Sequence, residues 1–133
     1  MISRKSLLNK RRIKIRNQNL AYVFADGNLT SDPESKKTSG GKSLTTFTIA
    51  VNHSFKQDDN EDADVSYFDV DTWEKMAENC GEYLKKGSKV TVIGLLKQDR
   101  WKSSDGTFRS KVKISAQQVR FDYTGIKKDK KAA

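Results

Sequence analysis

The feature that most restricts the fold is one stretch of helical period, "TWEKMAENCGEYLKKG" at residues 72–87, with strand patterns on both sides of it. Met76, Cys80 and Leu84 recur every four residues, Thr72 stands where a helix cap belongs, and Gly87 follows the last turn. Before it come "LAYVFADGNL" (20–29), "LTTFTIAVNHSF" (44–55) and "VSYFDVDTW" (65–73). The second puts Phe47, Ile49 and Val51 on one side, and the third sets Ser66, Phe68 and Val70 opposite Val65, Tyr67 and Asp69, the two-residue period of strands. After it come "KVTVIGLL" (89–96) and "SSDGTFRSKVKIS" (103–115). The last turns at Asp105-Gly106, then alternates Phe108, Val112 and Ile114 with Arg109, Lys111 and Lys113.

Three strands, a helix and two strands give an all-β layout, that of a five-stranded OB-fold Greek-key barrel with one α-helix between strands 3 and 4. "TSDPESKKTSGGKS" (30–43) has the composition of a turn or hairpin loop, and "DDNEDAD" (58–64) puts five acids in a solvated loop. The barrel is expected over residues 20–122, with a basic extension at 1–19 and a short basic tail at 123–133. A chain of 133 residues suits one such domain.

The net charge of +9 is concentrated at the ends. Residues 1–19 hold seven basic side chains and no acidic one, and residues 124–133 hold four lysines against Asp129, whereas the middle is near neutral. These ends suit either solubility or nucleic-acid binding. Runs such as "VTVIGLL" are too short to span a bilayer. The lone Cys80 has no internal disulfide partner, which suits a reducing compartment. With one histidine, His53, and no Cys-x-x-Cys or His-Glu motif, neither a catalytic metal site nor a cofactor is expected.

"GNL..DPE" at Gly27–Glu34, "EYLKKGS" at Glu82–Ser88 and "W...DG" at Trp101–Gly106, in this order and spacing, resemble the bacterial-type single-stranded DNA-binding proteins over nearly all of residues 20–122. The resemblance implies sequence-independent binding and protection of single strands in replication, recombination and repair, without catalysis. Such binding stacks bases on aromatic rings, each worth about 1–3 kcal/mol, and holds the backbone with cations. The family's stacking positions fall on Phe55, Tyr67, Trp73 and Trp101. Interleaved cations are Lys56, Lys75, Lys86, Lys97, Arg100, Lys102, Arg109 and Lys111. The resemblance also implies a homotetramer in the bacterial cytoplasm, at the nucleoid. The usual acidic partner-recruiting tip is not expected in a chain ending "GIKKDKKAA", and residues 1–19 suit a phosphate-binding arm, a mitochondrial targeting peptide or merely an upstream start.

On this reading Arg109, Lys111 and Lys113 form a cationic stripe along the last strand while Val112 and Ile114 fill the barrel. Each ring also has a packing role open to it: Phe55 and Tyr67 as core, Trp73 under the helix start, Phe68 as core or subunit contact. Trp101, between Arg100 and Lys102 beside a polar turn, has little core to fill. Cys80 reads as helix-face packing and His53 as an ordinary strand residue. Asp69 and Asp71 share a strand face that in principle suits magnesium, but they read as solvent-facing acids. The rival functions are a primosomal replication-restart OB protein, an OB-fold protein-interaction subunit and, from Asp69 and Asp71, a metal-dependent enzyme.

Overall fold

The computed structural model describes residues 18–54 and 64–125. Its elements in chain order are β1 (Tyr22–Leu29), β2 (Glu34–Lys37), β3 (Ser43–Asn52), β4 (Val65–Trp73), α1 (Glu74–Tyr83), β5 (Lys89–Lys102) and β6 (Phe108–Tyr123). The sheet runs β1-β5-β6-β4-β3-β2, and a further β1–β3 pairing, Asn28 with Ala50 and Leu29 with Ile49, closes it. All pairings are antiparallel except β4 with β6. Five strands therefore close a barrel, with one helix after the third of them, which is the OB-fold.

β2 is a sixth strand inside the segment expected to be a loop. It pairs with the first half of β3, Glu34 opposite Thr46 through Lys37 opposite Ser43. All four of its residues are exposed, so it has no apolar alternation to reveal it. The turn chemistry after it is as the glycines suggest, with a Thr38–Lys42 backbone bond closing the hairpin.

Alternation fills the barrel with Phe47 and Ile49 of β3, Val70 of β4, Val90 and Val92 of β5 and Ile114 of β6, all buried. Phe68 packs against this cluster from the same face of β4 as Val70. α1 closes one end through Cys80 and Leu84, with Met76 partly buried beside them, so the four-residue period does mark the helix's apolar face. Thr45 Oγ1 donates to the Ala77 carbonyl at 2.7 Å and fixes that helix against β3.

Two local expectations fail. Thr72 does not cap α1: it is a fully buried strand residue whose hydroxyl donates to the Thr45 carbonyl, and Trp73 occupies the cap position without a side-chain bond. Val112 does not fill the barrel, being 49% exposed where its neighbour two residues on, Ile114, is sealed. The reason is length. β5 and β6 stay paired from Lys89–Tyr123 to Lys102–Phe108, well past the point at which β6 leaves β4. Beyond Leu96 and Ile114 this hairpin is an arm projecting from the barrel.

The barrel needs close backbone approach at two glycines. A Cβ on Gly27 would strike the Ala50 carbonyl where β1 meets β3, and one on Gly94 would strike the Ser115 carbonyl. Gly94 also lies at a register shift in the β5–β6 ladder, where a bulge sharpens the bend of the strand.

Candidate nucleic-acid interface

The barrel's outer face is built by the residues that alternate with the core. Thr48 of β3 pairs with Asp69 of β4, Asp69 with Lys113 of β6, and Lys113 with Lys97 of β5. Side chains directly opposite one another share a face, so this row fixes the face of all four strands. Two residues back along β4, the same face carries Tyr67, 64% exposed. Farther along the arm it carries Asp99 opposite Lys111, then Trp101 opposite Arg109, with the Trp101 ring 45% exposed. Tyr67, Lys97, Trp101, Arg109 and Lys111 thus lie on one continuous surface.

The expected cationic stripe is largely neutralised. Lys111 is ion-paired with Asp69, and Lys113 lies 2.6 Å from Asp71 and 2.8 Å from Asp99. Burial raises the Asp69 pKa, but the Lys111 ammonium and a 2.6 Å bond from the Thr48 hydroxyl outweigh it and hold the carboxyl below its usual range. Burial likewise pulls Lys113 down, while Asp71 and Asp99 outweigh it and raise the group overall. Nor are both acids solvent-facing: Asp71 is 9% exposed. They serve as counter-ions to β6, and among the described residues no cluster of His, Cys, Asp or Glu is placed to hold a metal ion. Periodicity shows the cationic face of β6 but not that Asp69 and Asp71 meet it, because the parallel β4–β6 pairing brings these together.

The remaining candidates are dispersed. Trp73, 37% exposed, ends β4 on the outer face, with exposed Lys75 the second residue of α1. Arg100 and Lys102 lie on the arm's other face, opposite Ser110 and Phe108. Lys86 sits in the α1–β5 turn, its backbone N–H 2.8 Å from Asp32, at the far end of β5 from Trp101. Phe55 and Lys56 lie outside the described residues, as do most of the acidic loop and most of both basic ends. His53 falls just past the end of β3 rather than in a strand, and its Nε2 lies 2.9 Å from the Ser66 hydroxyl of β4.

The arm's tip is set by the turn expected at Asp105-Gly106. Ser103 N–H bonds Thr107 O and Gly106 N–H bonds Ser103 O. The Asp105 carboxylate accepts from the Ser103 hydroxyl and the Thr107 N–H, which hold its pKa down at about 2.

Residues 20–122 match the model of the single-strand binding protein family. The chain belongs to that family. Among its relatives, single-stranded DNA-binding protein 2 of Chlorobaculum tepidum is 42% identical over 101 residues, covering 74% of this chain and 68% of the relative. The single-stranded DNA-binding protein of Treponema pallidum is 42% identical over 98 residues, covering 74% of this chain but only 55% of the relative. That of Clostridium tetani is 36% identical over 100 residues, covering 74% and 68%. The matched span of this single-strand binding family member is the barrel together with its arm.

Proposed function

We propose that the chain binds single-stranded DNA without regard to sequence and protects it where duplexes are opened for replication, recombination and repair. The observation that carries this reading is the pair of exposed rings, Tyr67 and Trp101, on one sheet face with Arg109 and Lys97 beside them. Every base offers a π-face, so rings with flanking cations hold any sequence. Trp73 and Phe55 extend the stacking surface, and Lys75, Lys56, Arg100, Lys102 and Lys111 supply phosphate contacts, Lys111 once it leaves Asp69. Lys86 serves a strand that continues around the barrel. The role is one of binding, without catalysis.

The chain acts as a homotetramer in this reading. Support comes from β1, where Tyr22 is 51% and Phe24 75% exposed, facing partly buried Leu95 and Ile93 of β5. Apolar surface of this kind calls for a partner. The bacterial sources of the relatives support a place in the bacterial cytoplasm, at the nucleoid.

Titrating tryptophan fluorescence with oligo-dT and with duplex DNA at two salt concentrations tests the reading. Quenching by the single strand alone, weakened by salt and by Trp101→Ala, is the expected result. Equal response to duplex, or none to either, would overturn it.

A further inference from the structure

Strand alternation breaks at the junction of β4 and α1. Thr72 is sealed in the interior and Trp73, next along, stands on the outer face, so the strand period alone would turn residue 74 inward. Glu74 is instead exposed and opens α1, with no linker between strand and helix. The chain makes this turn with Glu74 at φ 54°, the one non-glycine residue at positive φ among the described residues. A side chain with a Cβ is strained there, and glycine is the residue that adopts such a backbone freely. Strain of this kind persists where the surroundings impose it, and it gathers at functional positions.

No side-chain contact accounts for the glutamate. Among the described residues its carboxylate has no hydrogen bond or ion pair, whereas Glu78, one turn on, accepts from the Ser43 hydroxyl. The positive end of α1 is the one favourable neighbour left to it. Its place beside the ring gives the charge a consequence. Glu74 follows Trp73 directly and Lys75 follows Glu74, so a strand stacked on that indole brings its phosphates near a carboxylate as well as an ammonium. Like charges at a surface repel at low salt and are screened as the ionic strength rises. The sequence neighbours of Trp101, by contrast, are Arg100 and Lys102.

We propose that Glu74 limits the hold on a single strand: its left-handed backbone keeps a carboxylate in water at the edge of the Trp73 platform, where it weakens phosphate contact and speeds release. This rests on Trp73 being a stacking platform, as in the function proposed above.

The test uses the full chain carrying Trp101→Phe, in which Trp73 is the sole tryptophan, titrated with oligo-dT. Adding Glu74→Gln keeps a side chain on the left-handed backbone and removes the charge. Affinity is expected to rise about two- to fivefold at low salt, with slower dissociation, and the rise to fade at high salt. Glu74→Gly is expected to give the same rise and a urea midpoint above that of Glu74→Gln. Glu82→Gln removes an exposed acid eight residues and about 12 Å farther along α1, and is expected to change affinity less. Glu74→Gln that binds no tighter than its parent, or gains no more than Glu82→Gln, would overturn the role of Glu74 and leave the single-strand reading standing. A rise that salt does not reduce would mean a change of shape rather than of charge and would also overturn it. A silent Trp73 in a chain that binds would remove that ring from the strand's path, and the role of Glu74 with it. An unsubstituted chain that binds no single strand would overturn both.

Discussion

The Lys113 ammonium of β6 lies 2.6 Å from the Asp71 carboxylate of β4, across the parallel pairing through which the barrel closes on that side. Lys113 also reaches Asp99 of β5, so one cation ties three strands. Both side chains are mostly withdrawn from water, at 22% and 13% exposure. Lys113→Ala leaves Asp71 without its cation, and a loss of about 1–3 kcal/mol in urea unfolding is expected. Lys97→Ala, on the exposed face next to it, is expected to leave the midpoint within about 0.5 kcal/mol.

The outer acids compete with phosphate for the lysines of β6. In Asp69→Asn, Lys111 loses its ion pair and remains 59% exposed, ready for a nucleic-acid contact. Oligo-dT binding is expected to tighten at low salt. The slope of log affinity against log salt should steepen by about 0.7, one further phosphate, when measured by fluorescence titration. An unchanged slope would place Lys111 outside the strand's path.

The same pair sets an acid limit on stability. Asp69 is held below its ordinary range, so its contribution is fully present above the unfolded value of about 4 and is lost as the pH falls through the folded one. Asp105, at about 2, acts in the same direction at the hairpin turn. Urea midpoints are expected to change little from Asp69 between pH 7 and about 5, then to fall with acid, and Asp69→Asn to soften that fall.

Gly94→Ala drives a methyl group into the Ser115 carbonyl at the bulge. With backbone on the other side of the contact, no rotamer relieves it. A loss of about 1–3 kcal/mol is expected in denaturant unfolding, together with weaker binding because the arm leaves the barrel at a different angle.

Cys80 is fully buried, and burial pushes its thiol up to about 11 against a hydrogen bond with Thr72. The native protein should react with a disulfide reagent at pH 8 only at the rate at which it opens, and at once in urea. Rapid labelling without denaturant would show that α1 separates readily from the barrel.

The barrel was legible because its burial is periodic: Phe47, Ile49, Val70 and Ile114 sit in runs whose neighbours face water, and Cys80 and Leu84 mark the helix. β2 was hidden because all of its residues are exposed and its partner alone makes it a strand. Trp101 could be read as a surface ring from its flanking charges, and the structure leaves it accessible. The ion pair of Lys111 is not legible in the sequence, because its acid, Asp69, is distant in sequence and meets it through the parallel β4–β6 pairing. Val112 shows the limit of alternation itself, which gives the side of a strand but not where the barrel beneath that side ends.

The paired length of β5 and β6 has a mechanical meaning. Tension applied along the arm loads many of its cross-strand hydrogen bonds together, in shear, whereas a pull that spreads the tip near Gly106 meets them one at a time. The arm is therefore stiff against stretching and soft against peeling.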